Sequence, residues 1–324
     1  MTVSNLLEID HLNAAFDTRR GELQVLSDIH LDIGQGEIVA LVGESGAGKS
    51  LTGSAINGLL PARCRVTGGE IRFEGKRIDT LSEREMQRLR GAEIGTIFQD
   101  PLTSLNPLYT VAQQLIRTIR THEAISREAA EARALTLLEE VGIPAPADRL
   151  HQYPHEFSGG MRQRVVIALA IALRPKLIIA DEPTTALDVS IQAQILELLR
   201  GLSRDHGTSI ILVTHDMGVV AETADRVAVL YAGRIVEVGK VEDVLMEPRH
   251  PYTRGLLASI PSIVKKEPRL PQIAGSMPSL TAIPSGCAYR TRCNHATERC
   301  ALERPALRRL DGRDVACHYA EELI

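Results

Sequence analysis
The residues Gly43-Glu44-Ser45-Gly46-Ala47-Gly48-Lys49-Ser50 keep the spacing G-x-x-x-x-G-K-[ST] and follow an apolar run, Glu37 to Val42. Glycines let successive backbone N–H groups turn toward one anion, and the helix expected next adds its positive end. Lys49 then reaches β- and γ-phosphate oxygens, and the Ser50 hydroxyl oxygen suits Mg²⁺. The spacing implies a nucleoside-triphosphate site; a glycine-rich connector with an incidental Lys-Ser is disfavoured by the strand before it. A second apolar run, Leu177 to Ala180, delivers Asp181 and Glu182 where a parallel strand ends, the edge at which ligands gather. Asp181 is suited to Mg²⁺, directly or through water, and Glu182 to polarising an attacking water. His215 follows the run Ile210 to Thr214, placed to contact a γ-phosphate or orient Glu182. Ser158-Gly159-Gly160 opens an apolar helix and supplies a second helix N-terminus for an anion.

Four of the five cysteines stand at 287, 293, 300 and 317, in a proline-rich tail with weak apolar periodicity. Bound metal could order such a segment where apolar burial cannot. Four soft ligands suit zinc or an iron-sulfur cluster, and the spacings are longer than the C-x₂-C pairs of zinc ribbons. Zinc, a cluster and no metal all stay open on the residues alone. Cys64 stands apart and reads as an ordinary thiol.

Residues 6 to 41 carry short β-rich segments with turns at Arg19-Arg20-Gly21 and Gly34-Gln35-Gly36, so antiparallel strands feed a buried parallel one. Ser82 with Glu85 predicts a capping box opening a short polar helix toward Arg90. From Val111 to Val141 helical spacing puts Leu115, Ile116 and Ile119, then Leu135, Leu138 and Val141, on recurring faces. Strands at 177–180 and 210–213 flank a helix from about Asp188 to Leu202, the βαβ rhythm of a parallel sheet.

The chain has 324 residues with Lys plus Arg 37 against Asp plus Glu 41, a formal charge of −4, and no Trp. It lacks the basic excess and the aromatic platform of a nucleic-acid binder. The apolar run Val165 to Leu173 is far shorter than the roughly 20 residues that span a bilayer. Met1 to Asn5 shows no secretory-signal pattern. We expect a cytoplasmic chain that does not cross a membrane alone.

In their order, Gly43 to Ser50, Gln99, Ser158-Gly159-Gly160, Asp181-Glu182, Ala186-Leu187-Asp188 and His215 resemble the ATP-binding-cassette (ABC) ATPases. Simple P-loop kinases and GTPases have no use for Ser158 to Gly160. Phe98 to Pro107, Phe157 to Arg164, Pro248 to Thr253 and the cysteine tail resemble, more narrowly, the ATPase subunits of bacterial dipeptide/oligopeptide/nickel importers, with similarity along nearly the whole chain. Met161 stands where the wider superfamily commonly has Gln and where the importer subgroup that this chain resembles typically has Met.

The resemblance implies an α/β fold: a P-loop ABC ATPase core over 1–240, with a RecA-like parallel sheet, an antiparallel β subdomain and a helical subdomain at about 101–172. An irregular C-terminal module with the four-Cys motif follows over 241–324. Gln99 would link Mg²⁺ to the transmembrane partner, and Ser158, Gly159 and Gly160 would clasp the γ-phosphate of ATP held by an opposing subunit. Asp188 would lie on that dimer seam, and His215 would be the switch histidine. Phe16 is the candidate for stacking on adenine, a core phenylalanine being its other reading. Residues 99–109 would receive a helix from a membrane subunit.

ATP and Mg²⁺ are implied, with a [4Fe-4S] cluster on Cys287, Cys293, Cys300 and Cys317. The implied function is ATP hydrolysis powering peptide uptake; import of nickel complexes and a soluble, non-transport ATPase are the alternatives. The implied partners are a second, related ATPase subunit, two transmembrane permeases and an extracytoplasmic substrate-binding protein, with the chain peripheral on the cytoplasmic face of the membrane. Nucleic acid is not among them.

Overall fold
The computed structural model describes residues 5–185, 187–260 and 272–322. Ala186 and the prolines at 261, 268 and 271 lie outside the described residues. Contacts divide the chain into two units, 1–33 with 38–79 and 214–324, and 34–37 with 80–213.

In the first unit, strands Leu7–Thr18 and Gly21–Ile33 pair antiparallel across the expected turn. Strand Cys64–Phe73 adds on the other side of Leu7–Thr18, with Lys76–Arg77 at its edge. Strand Ile38–Val42 is buried at every residue, lies parallel to Arg226–Tyr231, and runs into the phosphate loop and helix Lys49–Ile56. Arg226–Tyr231 turns back into Arg234–Lys240.

Here the tail departs from the irregular module expected. Strand Arg313–Val315 pairs antiparallel with Arg234–Lys240, and Arg308–Leu310 pairs with it in turn. Glu237, fully buried, explains how the Pro248–Thr253 segment is fastened: its carboxylate accepts the backbone N–H groups of Arg249 at 2.8 Å and His250 at 3.0 Å. Burial raises the Glu237 pKa, which these bonds and the Arg313 guanidinium oppose. Tyr252 and Tyr289 from the tail pack against Tyr231 in one core with Val229 and Val244. Weak apolar periodicity concealed this because the anchors are aromatic and polar residues far apart in sequence.

In the second unit, strands Ile94–Ile97, Leu177–Asp181 and Ser209–Val213 run parallel in that spatial order. Helix Glu83–Leu89 begins at the expected capping box, Glu85 accepting the Ser82 N–H at 2.8 Å. The stretch expected to be helical from 111 to 141 is two helices, Val111–His122 and Arg127–Glu140, the second capped where Ser126 Oγ accepts the Ala129 N–H at 3.2 Å. Its buried face is Ala130, Ala134, Leu137 and Leu138, with Leu135 only half-buried. Ala130 and Ala134, rather than Leu135, share the buried face with Leu137 and Leu138. Helix Val189–His206 runs a turn beyond the expected Leu202 and stops at Gly207.

Candidate nucleotide-hydrolysis site
The phosphate loop leaves strand Ile38–Val42 at Gly43, whose φ of 150° and lack of a side chain are both required: a Cβ there would lie 2.3 Å from the Leu230 carbonyl oxygen. The loop closes on Lys49. This buried ammonium donates to the carbonyls of Gly43 at 2.7 Å and Glu44 at 3.1 Å, while the Ala47 N–H turns back onto Glu44 O at 3.1 Å. Ser45, Gly46 and Ser50 are exposed, and Gly48 N-caps helix Lys49–Ile56. A cation held by two loop carbonyls at a helix start, beside the exposed residues Ser45, Gly46 and Ser50, is suited to a polyphosphate.

Two further residues named from the sequence belong to this unit. Thr214, which precedes His215, donates its N–H to Leu41 O at 3.1 Å, so the exposed histidine is tethered to the strand that feeds the phosphate loop. Phe16 is half-buried in strand Leu7–Thr18, in register with Leu23 and Cys64.

In the second unit, Gln99 and Glu182 meet: Gln99 Nε2 donates to Glu182 Oε2 at 2.9 Å. Thr185 Oγ1 donates to the same oxygen at 2.9 Å, a contact the sequence analysis missed although Thr185 is only three residues on. Glu182 holds a left-handed φ of 45° while its N–H pairs with Val213 O at 2.8 Å. A non-glycine residue in that region costs energy and is concentrated at functional sites. Asp181 ends the strand beside it.

Ser158 N-caps helix Gly159–Ile171, its Oγ accepting the Met161 N–H at 3.4 Å. Gly159 is exposed, whereas a Cβ on Gly160 would sit 2.8 Å from Ile191 Cγ2. The two glycines therefore differ: one faces open space, the other permits packing on helix Val189–His206. Asp188 caps that helix, accepting the Ile191 N–H at 3.0 Å.

Cys287, Cys293, Cys300 and Cys317 line one cavity of about 20 Å³ with His250, His295 and His318. Burial pushes Cys287 and Cys293 up and Cys317 up to about 11. Among the described residues, no group of three or more His, Cys, Asp or Glu is arranged to hold a metal ion. The donor set thus fits a soft centre in kind, while the side chains are not disposed as a closed ligand shell.

Glu44 has partners that the sequence analysis did not foresee. Its N–H donates to Tyr252 Oη at 2.9 Å, and its carboxylate accepts both Nη1 and Nη2 of Arg292 at 2.6 and 2.9 Å. Partners this distant leave no local pattern.

Residues 26–185 match the family model described as ABC transporter, and residues 236–300 the model described as oligopeptide/dipeptide transporter, C-terminal region. The chain is 55% identical over 296 residues to the oligopeptide transport ATP-binding protein OppD of Bacillus subtilis, covering 91% of this chain and 83% of that protein. It is 47% identical over 315 residues to the dipeptide transport ATP-binding protein DppD of Escherichia coli, covering 97% and 96%. Among solved structures, it is similar to the ATP-binding cassette MJ0796 in a dimeric post-hydrolysis state bound to ADP and Pi, with TM-score 0.66 and 29% identity over 72% of this chain and 98% of that one. It is also similar to cbiO1 of Clostridium perfringens, part of the ABC transporter complex cbiONQ, with TM-score 0.65 and 30% identity over 75% and 92%.

Proposed function
This chain belongs to the ABC transporter ATPases that carry the oligopeptide/dipeptide transporter C-terminal region, and on that premise we propose that it hydrolyses ATP to power uptake of dipeptides and oligopeptides. The observation that carries the cargo class is the likeness to a dipeptide transport ATP-binding protein along 97% of the chain. The same relatives favour peptides over nickel complexes and over a soluble, non-transport ATPase.

In the proposed reaction the exposed loop amides and Lys49 bind the phosphates, with Gly43 to Ser50 as the cradle and Phe16 stacked on adenine. Ser50, Asp181 and Gln99 would hold Mg²⁺, which would supply neutralisation of the phosphate charge. Glu182 accepts a proton from water as the water oxygen bonds to the γ-phosphorus. The bond from that phosphorus to the bridging oxygen breaks, and its electron pair leaves on ADP. His215 hydrogen-bonds a γ-phosphate oxygen and keeps Glu182 oriented.

Ser158, Gly159, Gly160 and Asp188 serve the ATP of a second, related cassette; the dimeric neighbour bound to ADP and Pi supports this arrangement. Hydrolysis then converts a ligand that favours the closed pair into one that does not, which is how a ligand drives a conformational cycle. Two permease subunits receive the motion, and an extracytoplasmic binding protein delivers the solute. Phe98, Leu102, Leu108 and Tyr109 are 49%, 62%, 79% and 42% exposed around Gln99, which supports this stretch as the seat of a permease helix. We place the chain peripherally on the cytoplasmic face; among the described residues no helix is long and apolar enough to cross a membrane.

The four cysteines are proposed to hold a [4Fe-4S] cluster, supported by their common cavity and soft donor set. Iron and acid-labile sulfide in the purified chain support it; zinc, or neither metal nor sulfide, overturns it. The transport reading is tested by reconstituting the chain with its permeases and binding protein and measuring ATP hydrolysis. Stimulation by dipeptides or oligopeptides is expected, and stimulation by nickel complexes alone overturns the cargo class.

A further inference from the structure
The tail of the first unit grips the phosphate loop at Glu44. The Arg292 side chain is 3% exposed; besides its fork onto the Glu44 carboxylate, its Nε donates to Ala274 O at 2.8 Å. Its guanidinium carbon lies 5.8 Å from the centroid of the Tyr231 ring. Tyr252, fully buried, stands edge-on to Tyr231 with centroids 4.6 Å apart, so the hydroxyl that receives the Glu44 N–H has little freedom. Main chain and side chain of Glu44 are thus held at once, by residues 208 and 248 positions later.

Glu44 passes this constraint on. Its carbonyl accepts the Ala47 N–H and the Lys49 ammonium, two of the contacts that give the loop its shape. A glycine-rich loop has many conformations to lose when it wraps an anion, and ordering it beforehand lowers that cost. A bidentate guanidinium–carboxylate pair suits the purpose because it fixes direction as well as distance.

We propose that Arg292 and Tyr252 are positioning residues for nucleotide binding, acting through Glu44 to hold the loop amides and Lys49 in the conformation that the phosphates require. The proposal rests on the reading that this loop holds ATP. It gives the tail a part in the ATPase cycle that is independent of any metal there.

The test is the affinity of the full chain for a fluorescent, non-hydrolysable ATP analogue with Mg²⁺, measured beside its thermal unfolding midpoint. Arg292→Ala is expected to raise Kd about tenfold, equivalent to ~1.4 kcal/mol. Tyr252→Phe removes one oxygen from a packed ring; it is expected to raise Kd about threefold and to speed amide exchange at Glu44. Glu44→Gln added to Arg292→Ala is expected to change Kd less than about twofold further, since both act through one contact. Unchanged Kd in Arg292→Ala and Tyr252→Phe, with only the unfolding midpoint lowered, overturns the proposal, the contact then merely docking the tail. Should Arg292→Ala fail to fold, Tyr252→Phe and Glu44→Gln decide the matter by the same two readouts. A wild-type chain that binds no analogue sinks the ATP reading itself, which is a different failure.

Discussion

Gln99 Nε2 donates to Glu182 Oε2 at 2.9 Å, and strand register is the reason the two meet. Ile97 lies opposite Ala180 in adjacent parallel strands, so continuing both chains by two residues sets 99 against 182 at the same edge. The side chain that the family resemblance links to the permease therefore touches the carboxylate assigned to activating water. Thr185 holds the same oxygen, leaving the carboxylate firmly oriented on its left-handed backbone.

Glu182→Gln is expected to leave ATP binding intact and to lower turnover by about 10² to 10⁴, the span typical of a general acid or base. Phosphate release from the reconstituted transporter measures it; wild-type turnover would refute the assignment. Gln99→Ala alone is expected to slow turnover about tenfold, yet less than about twofold on the Glu182→Gln background, because groups acting as a unit are not additive.

Leu108→Asp puts a charge on a side chain that is 79% exposed and that this chain does not need for its own packing. Nucleotide affinity of the isolated subunit should stay within about twofold, while co-purification with the permeases should be lost, since a charge buried at an interface without a partner is costly. Full recovery of the complex would remove residues 99–109 from the docking surface.

Gly160→Ala should destabilise the chain. The new methyl would stand 2.8 Å from Ile191 Cγ2, and overpacking of this kind costs about 1 to 3 kcal/mol, less up to about 1 kcal/mol of improved helix propensity. Adding Ile191→Ala should restore most of the denaturant midpoint; no recovery in the double variant would mean that the clash is not the cause.

The imidazole of His11 has its pKa raised above the ordinary 6.5, first by its 2.6 Å hydrogen bond to Asp28 and then by the charges of Asp10 and Asp28. A raised histidine contributes stability that is complete below pH 6.5 and fades as pH climbs through the folded-state value. Proton NMR of the ring should show titration above 6.5, moving down in Asp28→Asn; an unmoved midpoint would show that Asp28 is not the source.

The local chemistry was legible along the chain. Glycine spacing before Lys49-Ser50, carboxylates at the end of an apolar run and the Ser82–Glu85 box each depend on neighbours a few residues apart, and each is found in its expected element. The helical spacing read from Val111 to Val141 is two helices, Val111–His122 and Arg127–Glu140, and the residues between them, Glu123 to Ser126, carry no glycine or proline to mark the break. Leu135 was put on the buried face because large apolar residues are the visible signal, whereas Ala130 and Ala134 do the packing.

Sequence alone determined which residue types stand at the spacings suited to binding phosphate and polarising water, because those demands are set by backbone freedom and side-chain chemistry within short spans. Only the tertiary structure decided that Gln99 would face Glu182 and that Arg292 and Tyr252 would close on Glu44. Such contacts follow from strand register and from burial of the tyrosine core, and both are fixed by packing between segments that have no spacing in common.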